Sequence, residues 1–138
     1  MARRIEALLK ADPGVKLIPR EFIIEPAESS PIAGRAALAS IAQDKYAVYQ
    51  TMMSMPDHPL PVPRVFEIAQ SVGLDMDRLR ADMEEPQIYA QIIANFNLAR
   101  ATRIFQTPTF IIGDHIVTEP PAQIDFPALV AKARAAKT

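Results

Sequence analysis

The sequence predicts an α/β fold in a single domain, and three observations support this. The 138 residues are 49% apolar, which is enough to bury one hydrophobic core. Helical spacing of apolar residues occupies the middle of the chain, from about residue 30 to 104. Runs rich in β-branched residues lie on either side of it, at 15–24 and 109–118. The predicted order is therefore helix, strand, several helices, hairpin and helix.

The first two elements are short. Residues 3–11 place Ile5, Leu8 and Leu9 on one helical face, and a turn at Pro13-Gly14 ends this helix. The segment "VKLIPREFII", residues 15–24, reads as a strand. Because Pro19 has no N–H to donate, we expect this strand at the edge of a sheet.

Capping and proline signals divide the helical middle into several helices. The first runs from about residue 30 to 55, either as one helix or as two with a break near "QDK". Gly73 is suited to end a second helix, and a last one extends to about residue 104. The predicted starts are Ser30-Pro31, Pro63, Asp75 and Pro86.

The C-terminal part predicts a hairpin followed by a helix. Gly113-Asp114 separates the β-rich runs "TPTFIIG" and "HIVT", which is typical of a tight turn between antiparallel strands. From Ile124 to Lys137 the apolar residues return to helical spacing, with basic residues near the end of the helix.

Composition excludes several classes of function. The 15 basic and 16 acidic residues form no block of one sign, so we expect no binding to nucleic acid or to an anionic membrane surface. The apolar runs are too short to cross a bilayer. The absence of cysteine excludes disulfides and thiolate ligands within these residues, and His58 and His115 lack partners at metal-binding spacing. We therefore predict no metal and no cofactor.

The chain resembles the DsbA family of bacterial thiol–disulfide oxidoreductases. The resemblance covers nearly the whole chain and is carried by the segments 8–13, 15–22, 35–39, 67–75 and 107–114, the last containing "TPTFIIGD". It implies a single thioredoxin-like domain over 1–138, truncated at its N-terminus. A multi-helix insertion, about 30–104, separates the edge strand from the C-terminal hairpin.

The resemblance also implies a peptide-binding site at residues 106–108. In family members the proline equivalent to Pro108 is cis, and the backbone of the residue equivalent to Thr107 pairs with a substrate peptide. Gln106 stands where the family usually has glycine, so we expect its side chain to narrow the substrate groove. The site residues are thus Gln106, Thr107 and Pro108.

The family's catalytic Cys-x-x-Cys has no counterpart here, so no catalytic residue is assigned and the chain is predicted to be redox-inactive. Whether the protein is an enzyme stays open among three alternatives. The catalytic segment could lie before Met1, the chain could be a non-redox peptide-binding or assembly module, or it could be a degenerate family member.

Two further expectations follow from the missing segment. The resemblance places an absent strand between 15–24 and the hairpin, and unpaired backbone groups there are costly, so we expect a homo-oligomer that fills this position. Family members are mostly periplasmic. Because no signal peptide precedes the first helix, the chain as it stands is expected in the cytoplasm.

Overall fold

The computed structural model describes residues 2–23, 29–53 and 60–136. Within these ranges the chain forms seven α-helices and two β-strands. Their bounds are α1 Ala2–Ala11, α2 Ser29–Ser40, α3 Tyr46–Met53, α4 Val62–Ser71, α5 Met76–Met83, α6 Pro86–Ala101, β1 Phe110–Ile112, β2 His115–Val117 and α7 Phe126–Ala135.

The described residues divide into two compact units. The hairpin unit comprises the residues up to Pro19 and those from Ile104 onward, and it contains α1, β1, β2 and α7. The helical unit lies between Arg20 and Arg103 and contains α2 to α6.

The helical unit is built around α2, whose small residues let neighbouring helices approach closely. Ala36, Ala37 and Ala39 are buried in its core cluster. Helices α3 to α6 all pack on α2. The largest fully buried side chains of the unit include Tyr49, Ile68 and Leu79. The Tyr49 hydroxyl donates to the Val65 carbonyl at 3.1 Å, so this buried polar group is satisfied.

The helix boundaries agree with the capping signals at α4, α5 and α6, whereas α2 begins at Ser29, one residue before the predicted cap at Ser30. The predicted break near "QDK" is present, because a 3₁₀ turn at Ile41–Gln43 and a left-handed residue, Asp44, separate α2 from α3. Asp75 caps α5 by accepting hydrogen bonds from the N–H groups of Asp77 and Arg78, at 3.1 and 3.0 Å. Pro63 and Pro86 lie in the first turns of α4 and α6.

The strand predicted at 15–24 does not form in residues 15–23, and residue 24 lies outside the described residues. A strand needs a partner, and the sheet of the described residues consists of β1 and β2 alone. Pro19 further weakens the segment as a strand because it lacks an N–H donor. Instead, the Glu21 carbonyl accepts a hydrogen bond from Asn95 Nδ2 at 2.9 Å. The ring of Phe22 lies 6.4 Å from that of Phe96.

The hairpin unit has the predicted antiparallel hairpin and C-terminal helix. Phe110 pairs with Val117, and Ile112 pairs with His115. Gly113 has φ +60°, the left-handed conformation that glycine adopts readily. A Cβ on Gly113 would lie 2.7 Å from the Cβ of Ala133, so the turn packs directly against α7.

Aromatic packing and ion pairing hold α1 and α7 in this unit. The rings of Phe110 and Phe126 meet edge to face with centroids 5.0 Å apart. Arg134 on α7 forms two hydrogen bonds to the Asp12 carboxylate, at 2.6 and 2.9 Å. The arginine holds the pKa of Asp12 below its usual range. Asp125 caps α7 by accepting from the Ala128 N–H.

Candidate functional site

The three predicted site residues lie together in the bend that leads into β1. Gln106, Thr107 and Pro108 are all exposed. The peptide bond between Thr107 and Pro108 is cis, which is the isomer that the resemblance implies. The segment is therefore a sharply bent, solvent-facing stretch of backbone at the entrance to the hairpin.

Two side-chain hydrogen bonds fix the shape of this bend. Gln106 Nε2 donates to the Thr118 carbonyl at 3.0 Å, which ties the bend to the chain leaving β2. The hydroxyl of Thr109 donates to the Gln106 carbonyl at 2.7 Å, which closes the bend locally. The backbone around Thr107 is thus held in place by its neighbours.

Thr107 itself has unused backbone hydrogen-bonding capacity. No described residue donates to its carbonyl or accepts from its N–H. A backbone group that is exposed and unpaired can pair with an added extended segment, as in peptide recognition by β-strand addition.

Gln106 has a structural role that the sequence reasoning missed. Its amide group donates a hydrogen bond to the Thr118 carbonyl, whereas the sequence indicates only a steric effect of the side chain. Phe105, directly before it, was also missed, and 72% of this residue is exposed. An aromatic residue beside "QTP" is a signal that the sequence offered, because exposed aromatic rings commonly anchor bound partners.

Catalytic groups are absent from the described part of the site. The 138 residues contain no cysteine, so they supply no thiolate for disulfide exchange. The described residues contain no group of acidic or histidine side chains able to hold a metal ion. His115 lies half-buried on β2, and His58 lies outside the described residues. Among the described helices, none is long and apolar enough to cross a membrane.

The helical unit contains a separate polar cluster around Glu21. The Tyr46 hydroxyl donates to the Glu21 carboxylate. Burial raises the pKa of Glu21, an effect partly offset by that hydrogen bond. Burial and the nearby Glu21 charge also raise the pKa values of Tyr46 and Tyr49. Sequence reasoning gave no indication of this cluster, because its members are far apart in the chain.

Comparisons with known proteins identify the family. Residues 4–132 match the sequence model of a protein family that is described as thioredoxin. The crystal structure of a thioredoxin-like oxidoreductase from Silicibacter pomeroyi DSS-3 is similar, with a TM-score of 0.85 and 33% sequence identity. The similarity covers 97% of this chain and 78% of that one. No curated protein matches. The fold is thus thioredoxin-like, with several helices and a small two-stranded sheet, and the chain belongs to the thioredoxin family.

Proposed function

We propose that this chain is a DsbA-like, redox-inactive member of the thioredoxin family that binds extended peptides at Gln106, Thr107 and Pro108. The observation that carries the proposal is that Thr107 is an exposed residue whose N–H and carbonyl are unpaired among the described residues. A peptide laid beside it can donate to and accept from the same residue. Main-chain pairing of this kind gives affinity with little dependence on sequence.

The bend is suited to this role because it is already ordered before a peptide arrives. Its two side-chain hydrogen bonds, from Gln106 and from Thr109, hold the backbone on either side of Thr107. A preformed site avoids part of the entropic cost of ordering a loop on binding. The exposed ring of Phe105 adds an apolar contact next to the pairing position.

Redox inactivity follows from the chemistry of thiol–disulfide exchange. Exchange requires a thiolate that attacks a disulfide sulfur and forms a mixed disulfide. These 138 residues contain no sulfur atom other than those of methionine. These residues therefore cannot exchange electrons with a peptide that binds beside Thr107.

The experiment is a binding titration with a cysteine-free, unstructured peptide and two N-methylated versions of it. Methylating the peptide N–H that pairs with Thr107 removes one main-chain hydrogen bond, so we expect the affinity to fall by about tenfold. Methylating the adjacent residue, whose N–H faces away, is the matched control and should change little. Equal affinity for all three peptides would contradict the proposal, as would the absence of binding.

A second candidate function is thiol–disulfide oxidoreduction by a longer protein that contains these residues. The Silicibacter protein, described as an oxidoreductase, favours it, because the similarity covers 78% of that chain. The test is the intact mass and thiol content of the protein from its native source. A mass larger than that of the 138 residues, with two titratable thiols, would support the oxidoreductase. A mass matching the 138 residues would exclude it.

A further inference from the structure

The two strands of the hairpin each have an outer edge with unpaired backbone groups. Gly113, with φ +60°, and Asp114 form the two-residue turn typical of type II′, with glycine first. Such a turn is closed by a hydrogen-bonded pair, here Ile112 and His115. Because hydrogen-bonded and non-hydrogen-bonded pairs alternate in an antiparallel ladder, Ile111 and Ile116 form the non-hydrogen-bonded pair.

This alternation decides which groups face outward. The N–H and carbonyl of Ile116 point away from β1, toward the outer edge of β2. Those of Ile111 point toward the outer edge of β1 in the same way. Within the described residues each strand pairs only with the other, so neither edge is covered by another strand. An open edge of this kind is a template for pairing with another chain.

A groove of about 390 Å³ lies along the outer edge of β2, between that strand and α7. Its lining includes Ile116 on β2 and the apolar residues Val117, Ile124 and Leu129. The edge of β2 therefore combines unpaired backbone groups with an apolar surface.

The charged residues of the groove are separated by sign along its length. Glu119 and Asp125 lie where β2 ends and α7 begins. Lys132 lies toward the other end, because its neighbour Ala133 packs against the hairpin turn at Gly113. Neither Glu119 nor Lys132 has an oppositely charged partner among the described residues. The groove is thus acidic at one end and basic at the other.

We propose that a second copy of this chain docks on the outer edge of β2, antiparallel to it and centred on Ile116. Two-fold pairing about Ile116 places the acidic end of one groove opposite the basic end of the other. Glu119 of each copy then faces Lys132 of its partner copy, and the Ile116 N–H and carbonyl groups pair across the axis. An interface formed by the same patch on both copies must be self-complementary, and this charge order meets that requirement.

The proposed interface differs from the one expected from the sequence alone. That expectation places a second copy at the missing-strand position, between residues 15–24 and the hairpin. The present inference assigns association to β2, and it does not depend on peptide binding at Thr107. The two edges can be tested separately because Ile111 and Ile116 are similarly exposed, at 49% and 47%, and occupy equivalent positions in the ladder.

The test is sedimentation equilibrium of the 138-residue chain over a concentration series, with I116P and the matched control I111P. A proline at either position removes an outward N–H and leaves the bonds between β1 and β2 intact. We expect dimers for the unmodified chain, a dissociation constant raised by at least about tenfold in I116P, and little change in I111P. Far-UV circular dichroism checks that both variants are folded.

Charge reversal tests the same interface without altering the backbone. We expect E119K and K132E each to raise the dissociation constant by several-fold, because like charges then face each other. The double variant E119K/K132E should restore the original value. This series decides the question if I116P proves unfolded.

Three outcomes would overturn the proposal. The first is a chain that stays monomeric up to about 1 mM. The second is weakening by I111P that equals or exceeds weakening by I116P, which would assign association to β1. The third is a double charge variant that dimerises no better than the two single variants.

Discussion

Replacing Asn95 with aspartate should destabilise the helical unit through one buried contact. Asn95 lies on α6 and is only 4% exposed. Its Nδ2 donates to the Glu21 carbonyl at 2.9 Å, and its Oδ1 accepts from Gln91 Nε2 at 2.7 Å. Aspartate keeps the acceptor for Gln91 but has no donor for the carbonyl. It also brings a negative charge next to that oxygen.

The size of the effect follows from these contacts. Losing a hydrogen bond costs about 0.5–1.5 kcal/mol, and leaving a buried polar group unsatisfied adds about 1–3 kcal/mol. We therefore expect N95D to lower the free energy of unfolding by about 2–4 kcal/mol at neutral pH. Part of this loss should be regained in acid, because a protonated carboxyl group can again donate to the Glu21 carbonyl.

Urea denaturation at neutral and acidic pH measures both effects, and Asn97 provides the control. Asn97 lies two residues further along α6 and is exposed, so N97D introduces the same charge on the same helix without breaking a buried contact. Its effect should stay within about 0.5 kcal/mol. The reasoning is refuted if N95D lowers the free energy of unfolding no more than N97D does. It is also refuted if the difference between the two variants is as large at acidic pH as at neutral pH.

Two other predictions concern the pH dependence of stability. Since burial raises the pKa of Glu21 above 4.5, the native state binds the proton more tightly than the unfolded state, and stability declines as pH rises through the raised value. Thermal melts of E21Q should therefore show a weaker decline over that range, and an unchanged decline would contradict this. The hydrogen bond from Arg134 lowers the pKa of Asp12. The contribution of this ion pair to stability is therefore present above pH 3.8 and is lost as the pH falls through the lowered pKa. D12N should melt at a lower temperature than the unmodified chain at neutral pH and lose less stability in acid; equal melting curves would contradict this.

The helices and the hairpin could be predicted from sequence because local signals determine them. The cap at Asp75, the prolines at the starts of α4 and α6, and the Gly113 turn act within a few residues. The strand at 15–24 was predicted wrongly because a strand depends on a partner, which local composition does not reveal. The bond from Asn95 to Glu21 joins residues 74 apart, so no local pattern could have indicated it.

The site was predicted less completely than the fold. The positions of Gln106, Thr107 and Pro108 came from the family resemblance, and the structure places all three in one exposed bend. The bond from Gln106 to Thr118 was not foreseen, because it depends on how the bend folds back on the end of β2. The cluster around Glu21 was missed for the same reason, since its pKa shift arises from burial and from Tyr46.

The most direct test of the proposed function is the hydrogen exchange of the Thr107 amide, measured by NMR with and without a cysteine-free peptide. In the free protein this N–H has no partner among the described residues and is predicted to exchange rapidly. Saturating peptide should slow its exchange. Peptide binding that leaves the Thr107 amide unprotected would contradict the account.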